Sequence, residues 1–168
     1  MNHIKQYIVL GIIVLAATQN AWAVTVGEKM PDCNLKPLND VAATLHLNRY
    51  SGKVLYVDFW ASWCAPCAKS FPYMNKLQRT FKSSDLQIVA VNLDQPLSDA
   101  DEFLTKLPAD FTLAYDPEQV CAKSFAVQAM PSTYLIDKQG IVRYIHLGFR
   151  SGEVGELQQM IETLVAED

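Results

Sequence analysis

The chain has 168 residues, 50% of them hydrophobic and 19% charged, with a formal net charge of −4. That length suits one domain able to bury a core without disulfide staples, and the lack of any basic block argues against nucleic acid as a partner. Four cysteines in such a chain point to chemistry rather than scaffolding.

Asn2, His3 and Lys5 precede an apolar run from Ile8 to Ala17, and Ala21-Trp22-Ala23 has the small-x-small pattern read by signal peptidase. The run is too short for the roughly 20 apolar residues of a membrane span, and no later stretch approaches that length. Residues 1–23 are therefore expected to be a signal peptide cleaved after Ala23, leaving one soluble domain over 24–168 in the periplasm.

Val24 to Asn48 reads as an extended N-terminal arm with room for a hairpin, and Arg49 to Lys53 as a turn containing Gly52. Val54 to Phe59 is a buried strand. It runs into Trp60-Ala61-Ser62-Trp63-Cys64-Ala65-Pro66-Cys67, where Pro66 suits the first turn of a helix expected to reach about Lys82 with a kink at Pro72. Leu86 to Asn92 is a second central strand. Ser98, followed by Asp99, Asp101 and Glu102, starts a helix to about Lys106. Phe111 to Tyr115 suits a short strand, and Asp116-Pro117-Glu118 caps a helix ending near Phe125. Ser132 to Ile136 and Ile141 to His146 read as a hairpin closed by Asp137-Lys138-Gln139-Gly140, before a last helix from Glu153 to Ala166. The alternation predicts an α/β fold: a central mixed sheet flanked by helices, with an N-terminal extension.

Cys64 and Cys67, three residues apart on a first helical turn, lie on one face and are close enough for a readily exchanged disulfide. Covalent haem attachment needs His after the second Cys, where this chain has Ala68. A four-Cys zinc site needs a second pair, but Cys33 and Cys121 stand alone, so no metal and no cofactor is expected.

The order of elements, together with Val57-Asp58-Phe59-Trp60-Ala61-Ser62-Trp63-Cys64-Ala65-Pro66-Cys67, Val91-Asn92-Leu93-Asp94 and Met130-Pro131-Ser132-Thr133-Tyr134-Leu135-Ile136-Asp137, resembles the thioredoxin superfamily and its exported TlpA/ResA-like branch. The resemblance implies the thioredoxin fold, thiol-disulfide oxidoreductase activity and a cis Pro131 facing the Cys pair. It also implies clients among exported proteins, tasks such as cytochrome c maturation or copper-site assembly, and a membrane thiol transporter as electron donor. Where many thioredoxins carry a Lys beside the buried acid, this chain has Ala90.

At a helix N-terminus, free N–H groups and the dipole stabilise a Cys64 thiolate, which makes it the expected nucleophile. Cys67, one turn further in, is the expected resolving thiol. Asp58, between apolar neighbours, is expected to have a raised pKa and to carry the Cys67 proton, though it could instead simply bond to backbone. Trp63 is either a core side chain or the rim that receives substrate beside Met130 and Pro131. Gly148 is either a turn glycine or a place where a client chain approaches closely. His46 and His146 lack partners at metal-ligand spacing. Cys33 and Cys121 are either a structural disulfide or two separately buried thiols.

The favoured function is reduction of client disulfides by a monomer. Ala65 and Pro66 offer no donor to over-stabilise the thiolate, unlike the His of strongly oxidising relatives. Two alternatives are a module holding a soft ion such as Cu(I) and a thiol peroxidase, although the Pro-x-x-x-Thr/Ser-x-x-Cys frame of the latter is absent.

Overall fold

All seven residues of β3 (Val54–Trp60) are buried, which places this strand inside the sheet with both faces covered. The structure is a computed structural model that describes residues 24–167; the expected signal peptide lies outside them. β3 pairs in parallel with β4 (Leu86–Asn92) and antiparallel with β6 (Ser132–Ile136). The full sheet adds β1 (Asn34–Pro37), β2 (Leu45–His46), β5 (Thr112–Tyr115) and β7 (Val142–Leu147), in the order β2-β1-β5-β4-β3-β6-β7. The N-terminal arm therefore forms a hairpin and extends the sheet at β5, Lys36 lying opposite Tyr115.

Side chains alternate along β3 and divide the core in two. Tyr56 and Trp60 face α1 (Ala65–Thr80), α2 (Ser98–Lys106) and α4 (Val154–Ala166); Leu55, Val57 and Phe59 face the arm and α3 (Val120–Ser124). α4 shows why this works. Its Leu157, Ile161 and Leu164 recur at helical spacing and are all buried, each contributing roughly 1.5–3 kcal/mol of apolar burial.

Helix boundaries differ slightly from expectation, for local reasons. α1 runs through Pro72 and stops at Thr80, short of Lys82, because Phe81 turns extended (φ −101°, ψ 145°). α3 stops before Phe125. Asp116 does cap it, with Oδ1 accepting from the Val120 N–H (3.1 Å) and Oδ2 from the Ala122 N–H (2.8 Å).

Candidate active site

β3 delivers the chain directly to the Cys pair. Cys64 is the N-cap residue of α1, and Pro66 sits in the first turn, where its missing N–H costs no helical bond. Cys64 and Cys67 are joined as a disulfide with Cα atoms 5.2 Å apart. The Cys67 N–H points at Cys64 Sγ (3.2 Å), so a reduced Cys64 finds a backbone donor as well as the positive helix end. Both sulfur-bearing residues are buried, Cys67 fully and Cys64 with 5% exposure.

Asp58 lies under this turn. It shares a face of β3 with Tyr56 and Trp60, which pack in one cluster with Cys64 and Cys67. It is fully buried, and burial pushes its carboxyl up to about 7, against the opposing effect of a hydrogen bond from Thr133. Directly across β4 stands Ala90, so no cation offsets the desolvation from that strand. Across β6 stands Thr133, whose hydroxyl donates to Asp58 Oδ1 at 2.6 Å; Oδ2 has no hydrogen-bond partner among the described residues.

Met130-Pro131 is a cis peptide bond. The Pro131 carbonyl accepts from the Gly148 N–H at 2.7 Å, which ties the loop before β6 to the end of β7. Gly148 has φ +82°, and a Cβ there would meet nothing within 4 Å. Its backbone conformation, rather than a close approach within the described chain, is what calls for glycine. The two tryptophans divide cleanly. Trp60 is buried against Phe71 and Phe103, whereas Trp63 is 72% exposed and stands between two concavities. One, of about 460 Å³, also has Leu93, Ala122, Val127 and Met130 in its wall. The other, of about 410 Å³, is lined by Phe103, Glu102 and Lys106.

Cys33 and Cys121 are joined on the far face, with Cα atoms 5.3 Å apart, tying the arm to α3. His46 stands 4.0 Å from Asp32, and His146 Nε2 lies 3.2 Å from Glu153. Three polar residues near the site had no role assigned from the sequence, although Asp94 and Thr133 fall within the motifs that carry the resemblance: Asp94, Thr133 and Tyr56. Asp94 holds the loop before Cys64 through Ser62, and the polar pair Asn92 and Asp94 at the end of an apolar strand was the available signal.

A Cys64–Cys67 pair at a helix N-terminus, a buried acid on the face of β3 that packs with that pair, and a cis proline immediately before β6, on this mixed sheet, are the arrangement of a thiol-disulfide oxidoreductase of thioredoxin-like fold. The chain belongs to the Redoxin family, whose model matches residues 25–161. It is 32% identical over 143 residues to the thiol-disulfide oxidoreductase ResA of Geobacillus thermodenitrificans, covering 84% of this chain and 79% of that protein. The ResA of Bacillus subtilis is 30% identical over 120 residues, 71% of this chain and 66% of its own length. Among solved structures, one from Chlorobium tepidum, provisionally described as thiol:disulfide interchange protein DsbE, is 40% identical with a TM-score of 0.81, covering 86% of this chain and all of that one. The thioredoxin domain of a Bacteroides vulgatus thiol-disulfide oxidoreductase, at 21% identity, TM-score 0.72 and coverage of 83% and 99%, shares the fold.

Proposed function

We propose that this oxidoreductase works in the periplasm after loss of residues 1–23 and reduces disulfides in exported client proteins. The observation that carries the reading is the pairing of a helix-capping Cys64 with a buried Cys67 above a buried acid. The Cys64 thiolate attacks a client sulfur, forming a mixed disulfide and releasing the other client sulfur as a thiolate. Cys67 then gives its proton to the Asp58 carboxylate and attacks Cys64 Sγ. The Cys64–client bond breaks, the client leaves with both sulfurs reduced, and the Cys64–Cys67 disulfide forms. Asp58 returns its proton to solvent or to the departing thiolate. A pKa near 7 suits a group that must both take and release that proton.

Trp63, Met130, Pro131 and Gly148 form the client-receiving rim in this reading, and Cys33–Cys121 is structural. A membrane thiol transporter restores the dithiol, and the enzyme acts as a monomer. Cu(I) holding and peroxide turnover gain no support from the relatives, which carry the name of oxidoreductases.

The test is reduction of insulin by the parent, Cys64→Ser and Cys67→Ser, together with trapping in cells. Loss of turnover in both variants, with periplasmic proteins covalently held by Cys67→Ser, is the expected result. Full turnover by Cys64→Ser, or trapped partners confined to the cytoplasm, overturns the proposal.

A further inference from the structure

Asp58 has two carboxyl oxygens in different surroundings. Oδ1 accepts the Thr133 hydroxyl at 2.6 Å, and the Tyr56 hydroxyl lies 3.4 Å from the same Thr133 oxygen. Because the Thr133 hydrogen is committed to Asp58, Tyr56 must be the donor to Thr133, giving a directed chain from Tyr56 to Thr133 to Asp58. Tyr56 is fully buried, and burial and the neighbouring Asp58 hold its pKa well above the ordinary value, so it keeps its hydrogen across neutral pH. The chain ends at Oδ1 and leaves Oδ2 without a hydrogen-bond partner among the described residues.

We propose that Thr133 is the positioning residue of the proton transfer: it occupies Oδ1 and thereby fixes Oδ2 as the oxygen that takes and releases the Cys67 proton. This rests on the proton-carrying role of Asp58 given above. Thr133 does so from β6, where it is directly opposite Asp58, 3% exposed and bonded to it at 2.6 Å. The other groups around Asp58 are Ala90 opposite it on β4 and Tyr56 on its own strand, on the face that packs in one cluster with Cys64 and Cys67; Tyr73 of α1 acts on Tyr56. None of them is a cation, and among the described residues Thr133 supplies the single hydrogen bond that favours the ionised acid.

Thr133→Val keeps shape and strand preference but removes the donor. The expected result is an upward shift of roughly one pH unit in the Asp58 carbon-13 carboxyl titration of the oxidised protein, and a matching shift in the pH profile of mixed-disulfide resolution. Thr133→Ser should restore both. Tyr56→Phe, which leaves the Thr133 hydroxyl in place, should shift both the same way by less. If Thr133→Val leaves the titration and the profile in place while Asp58→Asn removes the profile's inflection, the Thr133 proposal fails and the Asp58 role survives. If Asp58→Asn itself leaves resolution and its inflection unchanged, both fall. A larger shift from Tyr56→Phe than from Thr133→Val also overturns the proposal.

Discussion

Asp94 takes both the N–H (2.9 Å) and the hydroxyl (3.0 Å) of Ser62, and through this contact β4 holds the loop that carries Cys64. The Asn92 side-chain amide donates to the same carboxyl at 2.7 Å, and Asp94 is 1% exposed. Asp94→Ala leaves these donors without their acceptor. The expected cost is about 2–4 kcal/mol in denaturant unfolding of the oxidised protein, with slower formation of the mixed disulfide because Cys64 is no longer held in place. A change under about 0.5 kcal/mol with an unaltered attack rate would show that the loop holds itself.

Asp58 makes stability depend on pH in an unusual direction for an acid. Its carboxyl is raised from 3.8 to about 7, so the folded chain keeps a proton that the unfolded chain releases between roughly pH 4 and pH 7. The contribution is complete below pH 4 and is lost as pH rises through 7, by on the order of 4 kcal/mol. Asp58→Asn should therefore gain stability relative to the parent across this window, measured by denaturant unfolding of both oxidised proteins at pH 4, 6 and 8. A constant difference between the two would contradict the raised pKa.

The Cys33–Cys121 cross-link spans 88 residues, and closing a loop of that size is worth roughly 4–5 kcal/mol in the chain-entropy account. Cys33→Ser should lower the denaturant midpoint strongly while sparing the Cys64–Cys67 exchange. Peptide mapping of unreduced parent protein should recover one fragment holding both Cys33 and Cys121. Two free thiols in a protein whose active-site pair is oxidised would dismiss the cross-link.

Trp63→Ala should leave stability within about 0.5 kcal/mol of the parent, since the side chain is 72% exposed. Clients large enough to lie in the concavity shared with Leu93 and Met130 should show about a tenfold higher KM, as expected for an aromatic contact worth about 1–1.5 kcal/mol. A small aromatic disulfide should react at the parental rate. Equal losses for both substrates would place Trp63 in the chemistry of Cys64 instead of in client binding.

The strands and the Cys pair were legible because their signals are local: β3 and β4 are apolar runs bounded by turn residues, and Cys-Ala-Pro-Cys marks a helix start by itself. The contacts that govern the acid were not, because they depend on register. Thr133 meets Asp58 only when β6 is set antiparallel to β3 in one alignment; a shift of one residue would turn Ser132 or Tyr134 to the Asp58 face and carry Thr133 to the opposite one. The pairing of β1 with β5 was hidden for the same reason, both strands being four residues long. Ser62 and Asp94 lie on different loops and meet only once β3 and β4 are side by side.

The arm from Val24 to Pro37 reaches both ends of the sheet, through Gly27 N–H to the Val142 carbonyl at one end and Lys36 opposite Tyr115 at the other. Apart from the β1–β2 hairpin, these partners lie 79 residues (Lys36 to Tyr115) and 115 residues (Gly27 to Val142) further on, so this early segment pairs with chain synthesised much later. Cys64 and Cys67 are three residues apart within one helical turn, whereas Cys33 and Cys121 close a loop of 88 residues at a larger loop-closure entropy. Before that loop closes, Cys33 is an unpaired thiol in a chain that also carries a reactive pair, so Cys64 is a chemically competent wrong partner for it.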